Sequence, residues 1–380
     1  MAIYDISPTW RTEVQNKARG AIPTCDNSSI SSDLVAWNKI KTLLEKSANN
    51  GTSFSQGIVS TYSLVYTVNN GYIGGVLSYN GDIHFVPLFA NRGQKIDLNG
   101  VVSTYSLIYT SVSNGYAGGV LAPNGDIHFI PANAPVGQKI NSSGVVSTYS
   151  LIYTNSNGAY QGGVLAPNGD IIFIPDYANR GQKINSTGVV STYSLIYTAS
   201  NAYIGGVLAP NGDIHFMPAR AAVGQKISSS GVVSTYSLIY TAATTTVKYA
   251  GGVLSPNGDI HFISYNAPVG QKININGVVS TYSLVYTAGN AYVGGVLAPN
   301  GDIHFVPQNA NRGQKVSSSG VVSTYSLVYT SGDAFHFGVL SPNGDIHFIG
   351  QNVNRGQKVA TLPAKPLNIG LCCSPFLNKS

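Results

Sequence analysis

The chain has 380 residues, 43% of them hydrophobic and only 9% charged, with a net charge of +6. That hydrophobic fraction supplies a core, whereas the charge content lies far below the roughly 25% of an average soluble protein. Length alone predicts two or three domains. The basic residues form no run of the kind a nucleic-acid partner requires, and no apolar run approaches membrane-spanning length.

Residues 1–56 carry no repeat. Met1-Ala2-Ile3-Tyr4-Asp5 lacks the basic start and apolar stretch of a signal peptide. Residues 1–30 read as irregular. Ser32 and Asp33, followed by Leu34, Trp37, Ile40 and Leu44, predict a capped amphipathic helix ending near Asn50-Gly51. Such a segment is expected to dock the rest of the chain onto a larger assembly.

From residue 57 to residue 360 the sequence repeats. STYSL begins at Ser60, Ser103, Ser147, Ser191, Ser234, Ser280 and Ser323, and Asn-Gly-Asp ends at Asp82, Asp126, Asp170, Asp213, Asp259, Asp302 and Asp345. Gly-Gln-Lys follows every time. Self-similarity at 43 to 46 residues marks a stacked or radial architecture.

The second copy serves as the type. Gly118–Ala122 predicts a short strand, and Pro123-Asn124-Gly125-Asp126 a type I′ hairpin turn, which Asn-Gly favours. Ile127–Pro131 returns, Gly137–Ile140 is a third strand and Val145–Thr154 a β-branched and aromatic fourth. Four strands per unit and seven units predict an all-β, seven-bladed β-propeller of four-stranded antiparallel blades, with a short N-terminal helical segment. The Gly-Val-Leu-x-Pro-Asn-Gly-x-Ile-x-Phe core resembles that of kelch-like and tachylectin-like propellers, a resemblance that implies architecture and no particular activity.

The glycine pair suits the strand nearest the axis. Counted that way, the last unit lacks a fourth strand, because the chain after Lys358 turns into Leu362-Pro363-Ala364-Lys365-Pro366. The unmatched first copy, Ile58 to Thr67, is predicted to supply it and close the ring. Residues 361–380 form an apolar tail bearing Cys372 and Cys373; with Cys25, three thiols make no disulfide framework.

Several repeated side chains suggest chemistry, and each has a structural reading. His84, His128, His215, His261, His304 and His347 recur on the second strand, but the third copy has Ile172 there, which packing accepts and metal ligation does not. With Pro123 set opposite Asp126, His128 is expected opposite Leu121 and beside Ile140. The Asp that follows Asn-Gly is expected to bond its own turn, and the repeated Lys to be a solvated strand-end charge. The two tyrosines of STYSLxY read as packing between blades. No metal or cofactor is expected.

No nucleophile elbow, P-loop or zinc motif is present, and near-identical units give no asymmetric reaction centre, so the chain is read as non-enzymatic. Only the last unit departs, with Phe337 replacing the first glycine of the pair as a plug or seam adjustment. Differences between copies gather in the loops before Gly-Gly-Val-Leu and before Gly-Gln-Lys, which share one face. There Arg92, Arg180, Arg312 and Arg355 alternate with Val136, Val223 and Val269. These four arginines are the candidate ligand-binding residues, since guanidinium pairs with carboxylate, phosphate or acidic sugar. The leading expectation is a structural or attachment protein on a virion surface or otherwise extracellular, meeting other structural proteins or surface glycans. The alternative is a multivalent lectin. Asn27, Asn50, Asn141 and Asn185 lie in glycosylation sequons.

Overall fold

The computed structural model describes residues 58–110, 113–241 and 246–361. The expected helix of residues 32–50, the docking segment and the apolar tail with its cysteines lie outside the described residues. Twenty-eight strands, β1–β28 in chain order, form seven four-stranded antiparallel sheets. In the first blade these are β2 (Tyr72–Leu77), β3 (Ile83–Pro87), β4 (Arg92–Ile96) and β5 (Val102–Ser106), paired in sequence order. The next five blades repeat this order.

The seventh blade is a composite. β26 (Phe335–Leu340), β27 (Asp345–Gly350) and β28 (Arg355–Ala360) are completed by β1 (Val59–Ser63), which pairs with β28 from Val59↔Val359 to Ser63↔Arg355. The predicted exchange of chain ends is therefore present, and no blade is left with three strands.

Each blade encloses the phenylalanine of its second strand, such as Phe129, which is fully buried against an inner tyrosine, Tyr116. Two inter-blade devices recur in all seven copies. The fully buried Gln of Gly-Gln-Lys accepts two backbone N–H groups from the preceding blade: Gln138 Oε1 takes Ile108 N–H and Tyr109 N–H at 3.0 and 2.8 Å. Further in, a backbone bond links blade to blade, as Ala159 N–H to Ala132 C=O at 2.8 Å, and Gly71 N–H to Gln351 C=O at 3.3 Å carries the ring across its seam. Buried amide and carbonyl groups must find partners, and here they find them across the blade interfaces.

Two local expectations are corrected. The Pro-Asn-Gly-Asp turn is not type I′. Gly125 N–H bonds Ala122 C=O at 3.0 Å and Ala122 N–H bonds Asp126 C=O at 2.8 Å, with only Gly125 at positive φ, 87°. Proline's fixed negative φ forbids the first position of a type I′ turn and fits that of a type I turn, whose following glycine makes the bulge. The register consequently moves by one: His128 faces Val120 on one side and Lys139 on the other, and Leu121 faces Ile127.

The axis is filled. Gly118, the first glycine of its pair, has φ 126°, and a Cβ there would stand 2.7 Å from Gly162 of the next blade. The glycines let the inner strands converge. Phe337 takes this position in blade seven at φ 57°; its ring lies beside Gly251 and Gly294, and it packs against two core clusters, one containing Ile73 and Ala117 and the other Ile204, Ala250 and Val293. It is a plug.

Candidate functional site

The two faces of the disc differ in how their polar groups are satisfied. On the uniform face, which carries the Asn-Gly-Asp turns, every repeated lysine bonds the repeated aspartate thirteen residues before it, at 2.5 to 2.7 Å. The aspartates are buried and the lysine side chains about one-third exposed, so the expectation of a solvated lysine is corrected. The pair closes across adjacent second and third strands, a proximity that sequence spacing alone conceals.

Inside the blades, the repeated histidines are packing groups. His84, His128, His215, His261 and His304 place Nδ1 3.1–3.4 Å from the Oη of the STYSL tyrosine in their own blade. Burial, and then the neighbouring lysine, lower their pKa to about 4. In blade three Ile172 stands there instead, and Tyr193 Oη is left unpartnered. The same tyrosine lies across the glycine of Gly-Gln-Lys: a Cβ on Gly137 would overlap the Tyr149 ring. Among the described residues no group of three His, Cys, Asp or Glu is placed to hold a metal.

The varied face holds the candidate arginines on an outer rim, each in a different blade: Arg92 in the first, Arg180 in the third, Arg312 in the sixth and Arg355 in the seventh. The structure does not bring them together. It does seat them alike. Their guanidinium carbons lie 5.2–5.9 Å over the rings of Tyr66, Tyr153, Tyr286 and Tyr329, each from the preceding blade. Nε of Arg180, Arg312 and Arg355 also bonds the adjacent asparagine side chain at 3.1–3.2 Å. From beneath, the buried hydroxyl of Tyr72, Tyr160 or Tyr292 donates to the backbone carbonyl of Arg92, Arg180 or Arg312 at 2.9–3.1 Å. Stacking occupies the guanidinium face and leaves in-plane N–H donors directed outward.

Nearer the axis lies a ring that sequence reading missed. It is formed by the two residues after each second strand. In three blades the second of these is an asparagine whose Oδ1 accepts a backbone N–H of the next blade: Asn266 from Asn290, Asn309 from Asp333 and Asn352 from Asn70, at 2.5–2.7 Å. The remaining blades break the pattern with Phe89, Tyr177, Arg220 and an Asn133 whose Oδ1 has no partner. Also unpartnered are Asp176 Oδ1, Arg220 Nε, Gln308 Oε1 and Gln351 Oε1. Asp176 is 6% exposed; burial raises its pKa to about 8, against an opposing pull from Arg220. Next to the plug, His336 Nδ1 is likewise unpartnered, and burial lowers its pKa to about 3. The signal in the sequence is the one-residue variation directly after each second strand, where Leu88, Ala132, Asp176, Ala219, Tyr265, Gln308 and Gln351 succeed one another.

No protein-family description matches the chain, and no curated protein does. Among solved structures, the chain is similar to a streptogramin B lyase, with 19% identity over 81% of this chain and 99% of that one at a TM-score of 0.70. Virginiamycin B lyase from Staphylococcus aureus matches at 19% identity over 81% and 100%, with a TM-score of 0.69. The WD40 β-propeller domain of Doa1 matches at 11% identity over 80% and 98%, with a TM-score of 0.60. At these identities the likeness is one of fold. It corrects the reading of the chain as non-enzymatic: two of these neighbours are lyases on the same scaffold, so the fold does not exclude catalysis.

Proposed function

We propose that this chain is an attachment protein, displayed on a virus particle or another extracellular surface, whose varied face meets surface glycans. The rim arginines pair with acidic groups of the glycan, and residues 1–56 join the propeller to other structural proteins. The observation that carries the reading is the shared seating of Arg92, Arg180, Arg312 and Arg355, each stacked on a tyrosine. A guanidinium held in this way loses less side-chain freedom on binding a carboxylate or sulfate than a free one. Loops on a rigid scaffold are also where recognition groups concentrate.

The test is retention on immobilised sulfated and sialylated glycans at rising salt. Replacing the four arginines together by Val, the residue of three other blades, should reduce retention and flatten its salt dependence. Unchanged retention would sink the proposal.

A multivalent lectin using the uniform face is the second reading. It is favoured by two clefts of about 100 Å³ at equivalent blade junctions, one lined by Asn99, Asn343 and Lys358 and the other by Asn168, Lys183 and Ser229. Glycan binding that survives the arginine replacements and scales with the number of intact junctions would support it.

A further inference from the structure

The breaks in the inner ring are not scattered. Blades five, six and seven each accept a backbone N–H of the next blade on an asparagine side-chain oxygen, while among the described residues the junctions from blade one to blade five have no bond of this kind. Within that second arc, three side chains converge over Gly158, at the entry to blade three. The point where a Gly158 Cβ would stand is 3.7 Å from Asp176 Oδ2, 3.8 Å from the Tyr177 ring and 3.9 Å from Asn133 Oδ1. The Tyr177 hydroxyl is engaged by the Asn201 side chain, which fixes the ring. Arg220, from the neighbouring blade, is close enough to influence the Asp176 carboxyl electrostatically, yet its Nε has no partner.

From this arrangement we infer a sugar subsite at Asn133, Asp176, Tyr177 and Arg220 that takes a neutral polyol with adjacent hydroxyl groups. The inference rests on the glycan-binding reading of the varied face and names the part of the glycan that this arc would hold. The chemistry follows from the unpartnered groups. Asn133 Oδ1 needs a donor and Arg220 Nε–H needs an acceptor, while the Asp176 carboxyl, which burial keeps protonated at neutral pH, offers one of each; a hydroxyl serves all three. An ammonium would face the Arg220 charge. A phosphate or carboxylate would face two unpaired oxygens. A pair of neighbouring hydroxyls meets all three requirements, and the Tyr177 ring offers an apolar surface for the C–H face of a pyranose. Leaving buried polar atoms unpartnered is costly, and a ligand that satisfies them recovers that cost.

The sequence itself provides two substitutions that the scaffold already accepts. Asp176→Ala copies Ala132 and Ala219 at the equivalent position, and Arg220→Asn copies Asn266, Asn309 and Asn352. Full-length protein is titrated calorimetrically with methyl glycosides of neutral hexoses, and with ethanolamine and inorganic phosphate as charged probes. The expected result is saturable hexose binding that weakens about tenfold or more in each variant, with neither charged probe binding there. Absence of hexose binding, binding by either variant as tight as that of the unaltered protein, or a preference for phosphate or ethanolamine would overturn the inference. The quadruple Arg→Val protein separates this result from the rim proposal. It should keep hexose binding while losing acidic glycans, so either reading can fail alone.

Discussion

The repeated interior and the varied inner ring are made by the same fold and satisfy their polar groups in different ways. In the interior, a Gln staple and an Asp–Lys pair recur in all seven blades, and a His–Tyr hydrogen bond in five. In the inner ring, one arc keeps an asparagine bond and the other replaces it with Asp176, Tyr177, Arg220 and an unpaired Asn133. Repetition thus marks interactions the fold needs, and the break in repetition marks groups that the fold leaves open. Breaking an interior device should cost stability; breaking the open arc should cost little or even stabilise.

The largest effect is expected at the closure. Deleting residues 1–67 removes β1 and leaves β28 as an open edge, so the protein should aggregate, whereas deleting residues 1–56 leaves β1 in place. Light scattering during expression and refolding distinguishes the two. Equal behaviour of both truncations would show that the composite blade is dispensable.

Acid comes next. An exposed histidine in the unfolded chain titrates near 6.5, while His84, His128, His215, His261, His304 and His347 titrate at about 4 when folded. Between those values the unfolded chain takes up protons that the folded one refuses. Stability is therefore complete above about pH 6.5 and falls as pH drops toward 4, by about 2 kcal/mol per histidine at pH 5. Six such groups together are comparable with the roughly 5–15 kcal/mol that holds a typical domain. A sharp loss of near-ultraviolet circular dichroism is expected between about pH 6 and pH 4. A flat profile would show that these rings are hydrated.

A smaller effect is predicted for His128→Ile. It reproduces blade three, including the unpartnered hydroxyl, since Tyr149 would lose the contact that Tyr193 lacks. The cost at pH 7 should be about 1 kcal/mol, and the acid transition should shift to lower pH because one titrating group is gone. Urea denaturation at both pH values measures the two signs independently.

These predictions also separate what the sequence disclosed from what it hid. Seven copies of Asn-Gly-Asp and STYSL were enough to read the blade count, the strand order and the exchanged strand, because strand periodicity and turn residues are local signals. Register differs by one position from the expectation because the proline before Asn-Gly, through its fixed φ, decides the turn type. The Lys–Asp pair and the Gln staple were invisible, since each joins residues brought together only across strands or blades. The rim arginines could be found from variation between copies, but the tyrosines beneath them had been assigned to packing alone. The inner ring escaped for the opposite reason: Asp176 and Arg220 each occur once, and a search for repeated motifs passes over single residues.

Asp176→Ala sharpens the contrast from the other side. Burial raises the folded pKa of Asp176 to about 8, far above the ordinary carboxyl value of 3.8. The unfolded chain releases this proton at much lower pH, so the aspartate weakens the fold increasingly as pH rises from about 4 and reaches its full cost above about 8. Alanine should therefore raise the melting temperature at about pH 7 and raise it further at about pH 9, whereas replacing a needed interior group would lower it at both.

The smallest effect belongs to the rim. Replacing Arg92, Arg180, Arg312 and Arg355 by Val removes four stacked cations from tyrosine rings, each contact worth about 0.5 kcal/mol at such exposure. Val136, Val223 and Val269 show that the third strand starts equally well without the cation. The backbone there is held by inner tyrosine hydroxyls, and Tyr116, Tyr203 and Tyr249 already make that bond to the valine carbonyls at 3.2–3.3 Å. The melting temperature should thus fall by only about 3 °C, while the loss of acidic-glycan retention is large. A drop comparable to that of the closure deletion would place these arginines among the devices that hold the ring together and remove them from the open face.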